Sequence, residues 1–280
     1  MGRRRRIRWD RVLIVFGPIL LLIILLFVKC HHGDEEDPGN TDPGTVESMT
    51  VSESVPDSAA QPAQSEYRDL VLVVDAGHGG NDTGTNNQAE TRFEKDDNLR
   101  LSLAVEDALN RYPHVQVIMT RETDVYVDLQ ERCDIANNAN ADFFLSLHRN
   151  SASAGNGVEI WINNDSAGDV AMDKLMAEYI MEWLEQVGIS NNRGIKKGLR
   201  NTSVEAESEN YYVNRFTNMP SCLVEMGFMT SELDNSNFDT KLNEYADAIA
   251  GSVMELVTDK GIYTEQHGVP ANWSTTNRKG

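Results

Sequence analysis

Four side chains in this 280-residue chain are suited to metal chemistry, and each lies at an expected strand end or helix start. They are His78 and His148, each after an apolar run, Glu225 after a third run, and Glu94 at the start of a helical pattern. Zinc hydrolases commonly hold their metal with two histidines and one carboxylate, which leaves a position for water. A further carboxylate near that water can act as a general base.

Each of these residues also has a purely structural interpretation. A histidine after a strand is often a hydrogen-bonded loop residue. Glu94 can be a helix-start acid stabilised by the helix dipole, and Glu225 can be a buried ion-pair partner. The glycines Gly77, Gly79 and Gly80 can form an ordinary tight turn. The joint placement favours a site, because the structural interpretations do not require all four side chains to gather.

The elements that must position these side chains alternate between apolar strands and amphipathic helices. This alternation predicts an α/β fold with an open, mostly parallel twisted sheet and helices on both faces. Ligands of such sheets bind beyond the carboxyl ends of the strands. The predicted strands are 70–74, 115–119, 143–147, 158–162 and 221–224, and the predicted helices are 94–111, 129–139, 171–187 and 245–257.

The N-terminal part of the chain has the signals of a membrane anchor. Residues 12–28 are seventeen consecutive residues without a charge, preceded by an arginine-rich segment, 1–11, and followed by acidic residues. A helix of this length spans about 25 Å, at the short end for a bilayer. The positive-inside rule predicts a cytoplasmic segment at 1–11, a transmembrane signal-anchor at 12–28, and an extracytoplasmic location for the rest. A cleaved signal peptide is disfavoured, because no small-residue cleavage site follows the apolar run.

The remaining segments are predicted from composition. Residues 29–67 are acidic, rich in proline and serine, and lack a hydrophobic period, which predicts a disordered linker. The catalytic domain is expected at 68–259, followed by a loose C-terminal tail at 260–280. The formal net charge of −19 argues against nucleic-acid binding. Three cysteines are too few for a disulfide framework.

Five ordered motifs, spread over about residues 70–258, resemble those of the zinc-dependent N-acetylmuramoyl-L-alanine amidases. These enzymes form the amidase-3 family of bacterial cell-wall hydrolases. The matching segments are 73–84 (VVDAGHGGNDTG), 93–99 (FEKDDNL), a middle motif in two parts, 119–124 (MTRETD) and 129–137 (LQERCDIAN), 146–151 (SLHRNS) and 218–228 (NMPSCLVEMGF).

The resemblance implies roles for individual residues. It implies that His78, Glu94 and His148 bind Zn²⁺ and that Glu225 is the catalytic glutamate. The implied reaction is hydrolysis of the amide between the lactyl group of N-acetylmuramic acid and the L-alanine of the stem peptide in peptidoglycan, in cell-wall turnover or cell separation. Glu90 is a rival metal ligand, but Glu94 has the Glu-Lys-Asp context of the family.

Several neighbouring residues are candidates for supporting roles. Arg149 and Asn150 are candidate substrate contacts, and Asp75 is expected to orient His78 or its turn rather than bind metal. Residues 189–215 could hold an element that blocks the site until a protein activator moves it. Their acidic run at Glu205, Glu207 and Glu209 favours a solvated loop instead.

The leading hypothesis is a membrane-tethered, zinc-dependent peptidoglycan amidase whose catalytic domain faces the wall. Three alternatives remain open. One is a spore-cortex amidase that acts with a partner protein, which assays on vegetative wall and spore cortex would separate. Another is a non-catalytic peptidoglycan-binding protein, which would bind wall without releasing amines. The third is a zinc carboxypeptidase that cuts within the stem peptide, which product masses would reveal.

Overall fold

The computed structural model describes residues 66–164, 170–198 and 210–274, which are built around a six-stranded sheet. The strands of this sheet are β2 (Leu70–Ala76), β3 (Val115–Met119), β4 (Phe143–Asn150), β5 (Val158–Ile162), β6 (Asn192–Lys197) and β7 (Ser221–Phe228). Two short strands, β1 (Tyr67–Arg68) and β8 (Val269–Pro270), pair separately. The sheet order is β3-β2-β4-β7-β5-β6, and only the β5–β7 pair is antiparallel. The predicted α/β fold with a mostly parallel sheet is therefore confirmed.

Helices cover both faces of this sheet. They are α1 (Glu94–Leu109), α2 (Leu129–Asn138), α3 (Ala171–Val187), α4 (Tyr212–Phe216), α5 (Glu232–Thr240) and α6 (Leu242–Asp259). The larger apolar core joins α1, α3 and α6 to one face, and a smaller core joins α2 and α4 to the other. Four of the six strands of this sheet, β2, β4, β5 and β7, are buried on both faces, which explains why they read as largely apolar runs.

Strand alternation decides which face each site residue reaches. On β4, Leu145 and Leu147 belong to the larger core and Phe144 to the smaller one. Successive side chains on a strand point to opposite faces, so His148 lies on the face of Phe144. Its register partner on β7 is Glu225, which lies on the same face by the same alternation. The sheet therefore brings a histidine and a glutamate side by side.

Local sequence signals fix several element ends. The side chain of Asp128 caps α2 by accepting a hydrogen bond of 2.8 Å from the backbone N–H of Glu131. Gly188 ends α3 in the left-handed conformation, with φ of 93°. The elements β1, β6, β8, α4 and α5 are additions to the predicted set.

The segment after α6 differs from the predicted loose tail and corrects it through Ser274. Residues of β8 pair antiparallel with β1, which uses Tyr67 from the predicted linker. Tyr263 and Val269 are buried in the larger core, and the ring of Trp273 stacks on Phe143 at a centroid distance of 6.3 Å. The tail has no periodicity because it covers the core through single side chains rather than through a regular element.

The predicted transmembrane helix at 12–28 and most of the predicted linker lie outside the described residues. Within residues 66–164, 170–198 and 210–274, none of the helices combines the length and the apolar character that crossing a bilayer requires.

We expect a chain of residues 66–259 to be much less stable than one of residues 66–274. Removing the last segment exposes the core around the buried side chains Ile262, Tyr263 and Val269, each worth about 1.5–3 kcal/mol. Thermal unfolding should show a melting temperature lower by roughly 10 °C or more. Equal melting temperatures would contradict the role given to this segment.

Candidate active site

The turn after β2 carries His78 in a conformation that few non-glycine residues adopt. His78 has a φ of 60°, and Gly79 and Gly80 also have positive φ. Two buried arginines hold this turn by its carbonyl oxygens. Arg132 Nη2 donates to the carbonyl oxygen of His78 at 2.7 Å, and Arg121 Nη2 donates to that of Gly77 at 2.9 Å.

Asp75 supports the turn from below through one of these arginines. Its carboxylate accepts hydrogen bonds from Arg132 Nη1 at 2.5 Å, from Ser146 Oγ at 2.6 Å and from Thr120 Oγ1 at 2.7 Å. Burial by itself would raise the pKa of Asp75, but the charge of Arg132 and these hydrogen bonds hold that pKa below its usual value. Asp75 is therefore a buried carboxylate that is ionised at neutral pH and orders the turn.

Three of the four predicted residues converge on one point at the strand ends. Glu94 Oε1 lies 3.3 Å from His78 Nε2 and 2.9 Å from His148 Nδ1. Each residue offers one donor atom, and the three atoms lie within 4.8 Å of one another. The two imidazole rings meet edge to face, with centroids 5.0 Å apart. This set of two imidazoles and one carboxylate is one that zinc prefers in hydrolases.

Neighbouring groups fix the orientation of these donors. Asp82 Oδ2 lies 2.8 Å from His78 Nδ1, which leaves Nε2 facing Glu94. The backbone N–H of Thr85 donates to Glu94 Oε2 at 2.9 Å, and that of Arg149 donates to Glu94 Oε1 at 3.1 Å. Partners of this kind set the tautomer and direction of metal ligands.

The electrostatics of the cluster follow from the buried charge of Glu94. Burial by itself would raise the pKa of Glu94, but hydrogen bonds and charge from His148 and His78 hold it well below its usual range. Burial would likewise lower the pKa of His78, but Glu94 and Asp82 raise it to about 9. The carboxylates of Glu94 and Asp82 thus stabilise positive charge on the imidazole of His78.

Glu225 faces the same cavity as the three-residue cluster. This cavity of about 460 Å³ is lined by His78, Glu94, His148 and Glu225 together with aromatic and aliphatic side chains. Glu225 is 8% exposed and is the register partner of His148. All four predicted site residues therefore lie around one cavity beyond the carboxyl ends of the strands.

The other candidate residues differ in their position relative to the cavity. The rival ligand Glu90 is exposed and lies outside the donor cluster. Asn150 lines the cavity and donates to Glu159 Oε1 at 2.7 Å. Arg149, expected as a substrate contact, is among the residues that line the cavity, but its side chain is fully buried. It pairs with Asp97.

The segment 189–215 contributes a strand and one wall of the cavity. Its described part holds β6 and the beginning of α4, and Tyr211 and Tyr212 line the cavity. The acidic run at Glu205, Glu207 and Glu209 lies outside the described residues. Three supporting residues, Asp82, Arg121 and Arg132, were not predicted, although the spacing of four residues between His78 and Asp82 was a usable signal.

Known proteins with similar sequence and structure agree with this geometry. Residues 72–258 match the family model described as N-acetylmuramoyl-L-alanine amidase. The amidase CwlM of Bacillus licheniformis is 34% identical over 177 residues, which are 62% of this chain and 61% of CwlM. The protein YqiI of Bacillus subtilis is 31% identical over 70% of this chain and 86% of its own length.

A solved structure shares the fold at similar identity. The crystal structure of an N-acetylmuramoyl-L-alanine amidase from Clostridium difficile 630 has a TM-score of 0.62 and 28% identity, covering 69% of this chain and all of that one. The chain is thus a hydrolase of the amidase class. It belongs to the N-acetylmuramoyl-L-alanine amidase family that its residues 72–258 match.

We expect Gly77→Ala to weaken metal binding while leaving the fold intact. An added Cβ would overlap the imidazole ring of His148, although the backbone conformation of Gly77 suits alanine. Displacing a metal ligand should lower zinc affinity by about tenfold or more, as measured by titration with a competing chelator.

The matched control is Gly251→Ala, whose Cβ would overlap Trp183 between α6 and α3, far from the site. This variant should lower the melting temperature and keep the zinc affinity. If both variants changed zinc affinity equally, crowding of His148 would not be the cause.

Proposed function

We propose that this chain is a zinc-dependent N-acetylmuramoyl-L-alanine amidase in which His78, Glu94 and His148 hold the metal and Glu225 is the catalytic glutamate. Its substrate is the amide between the lactyl group of N-acetylmuramic acid and the L-alanine of the stem peptide in peptidoglycan. The observation that carries the proposal is the convergence of the three donor atoms with Glu225 around one cavity.

The chemistry of the donor set supports zinc. Its three donors are two imidazole nitrogens and one carboxylate oxygen, from residues distant along the chain, and their orientation is fixed by Asp82 and by backbone N–H groups. A set of three protein ligands leaves a fourth tetrahedral position free, as catalytic zinc sites require. When bound, zinc lowers the pKa of a water molecule in that position and polarises the scissile carbonyl.

Glu225 handles the protons of the reaction. Its carboxylate accepts a proton from the attacking water as the new carbon–oxygen bond forms. It then returns this proton to the amide nitrogen as the carbon–nitrogen bond breaks, so that the stem peptide leaves as a neutral amine. The register pairing with His148 keeps the carboxylate beside the metal ligands during both transfers.

We further propose that residues 12–28 anchor the chain in the cytoplasmic membrane and that the catalytic domain acts on the outer side. The support is the arginine-rich segment before the uncharged run and the acidic residues after it. The linker that follows would let the domain reach nearby wall, at a mean distance of roughly 35 Å.

Glu225→Gln should abolish catalysis and keep the metal. The amide side chain fills the same space but cannot take up a proton, so kcat should fall by about 10²–10⁴ while zinc content stays unchanged. Release of stem peptides from purified peptidoglycan, identified by mass spectrometry, measures this effect and distinguishes amidase products from those of a carboxypeptidase.

The control is Glu159→Gln, which changes the buried carboxylate that pairs with Glu225 in the register of β5 and β7. Glu159 already accepts hydrogen bonds from Asn150, Trp161 and Arg193. Because these three donors already engage its carboxylate, Glu159 is not expected to act as the base. The Glu159→Gln variant should therefore keep most of the activity. Peptide release by Glu225→Gln at the rate of the unmodified protein would refute the assigned role.

Glu94→Gln should remove zinc, whereas Glu90→Gln should not. Glu94 is the negative charge between the two imidazoles, and Glu90 is exposed outside the cluster. Metal analysis after dialysis should find about one zinc per chain for Glu90→Gln and far less for Glu94→Gln. The reverse pattern would make Glu90 the ligand.

A further inference from the structure

Two of the side chains that line the catalytic cavity are apolar and strongly exposed. Tyr126 and Leu129 line the cavity and are 57% and 51% exposed. The cavity is also lined by polar residues, among them Asn150 and Ser151, and by Glu225. We call the pair Tyr126 and Leu129 the apolar rim. Exposed apolar side chains at the mouth of a cavity usually indicate a contact surface for a ligand.

The order of the strands places the apolar rim and Glu225 on opposite sides of the metal cluster. Along this edge of the sheet the order is β3, β2, β4, β7 and β5. In the rim, the backbone of Tyr126 lies against Gly80 in the turn after β2, which also carries His78, and His148 lies near the end of β4. Glu225 comes next, on β7. The cluster of metal donors therefore separates the rim from the glutamate.

This order gives the bound substrate a direction. Glu225 must return its proton to the leaving nitrogen, so that nitrogen has to lie within hydrogen-bond reach of Glu225. The peptide half of the substrate then extends to the β7 and β5 side. The acyl group on the other side of the scissile carbonyl projects past His78 towards the apolar rim.

The backbone that carries Tyr126 is also held in place. A Cβ on Gly80 would lie 2.7 Å from the backbone nitrogen of Tyr126, so the two backbones are in close contact. The backbone N–H of Gly80 donates a hydrogen bond to Asp124 Oδ1 at 2.8 Å. Lys95 Nζ donates to Asp124 Oδ2 at 2.6 Å and to the carbonyl oxygen of Gly80 at 3.0 Å. A backbone fixed in this way loses little conformational entropy when a ligand binds.

We propose that the apolar rim is the subsite for the saccharide of the muramoyl group. The inference rests on the proposed amidase function and adds the direction of the substrate and the residues that recognise the sugar. The C–H face of a pyranose ring is apolar and packs on an aromatic ring, while the hydroxyl of Tyr126 offers a polar tip to the sugar hydroxyls.

The experiment compares two substrates that share the scissile amide. One is a soluble disaccharide-linked muropeptide, and the other is a lactoyl-L-alanyl peptide without the sugar ring. For Tyr126→Ala we expect the ratio of kcat/KM for the muropeptide over the lactoyl peptide to fall by about tenfold, mainly through KM. Tyr126→Phe should keep most of the ratio, because the ring face remains.

Leu129 offers a second variant with a matched control. Leu129→Ala, at the start of α2, should also lower the ratio, whereas Leu233→Ala, an equally exposed leucine near the start of α5, should not. Zinc content is measured for every variant. If Tyr126→Ala loses zinc because the His78 turn moves, Leu129→Ala decides the question.

The outcomes distinguish the subsite from the function on which it rests. An active unmodified protein whose ratio is unchanged in Tyr126→Ala and Leu129→Ala overturns the saccharide subsite alone, and so does an equal fall in Leu233→Ala. A zinc-loaded unmodified protein that cleaves neither substrate overturns the proposed function and the subsite with it.

Discussion

The buried charge of Glu94 is the constraint on which the rest of the site depends. Glu94 is 4% exposed, and burying a carboxylate to that extent without compensation destabilises the folded state by several kcal/mol. The compensation comes from the imidazoles of His78 and His148 and from two backbone N–H groups. These partners come from the turn after β2, from the loop before α1 and from β4, so α1, β4 and the turn after β2 must meet at one point for the charge to be tolerated.

Strain is concentrated at the turn after β2. His78 holds a left-handed conformation that costs of order 1–3 kcal/mol, and such a conformation persists only where its surroundings determine it. Arg121 and Arg132 hold the turn in this conformation by donating hydrogen bonds to its carbonyl oxygens, and Asp75 in turn accepts a hydrogen bond from Arg132. These buried polar groups therefore fix the position of the turn rather than take part in the reaction. They keep the metal-donor atoms directed at a common point.

The sequence predicted the parts of the fold that depend on local patterns. Apolar runs gave the buried strands, and residues after those runs gave the site. β6 was missed because it is polar and half exposed, and β8 because its pairing with β1 needs a distant partner. Arg121 and Arg132 act on a turn more than forty residues away, which no local pattern encodes. The direction of Arg149 was predictable: it follows His148 on β4, so alternation alone turns it to the other face.

The most direct test of the central claim is a crystal structure of the zinc-loaded chain with anomalous scattering recorded at the zinc edge. The account predicts one strong anomalous peak, with one nitrogen of His78, one nitrogen of His148 and one oxygen of Glu94 at about 2.0–2.2 Å and with Glu225 beside the open position. A peak held by other residues, or a catalytically active crystal without any peak at these donors, would contradict it.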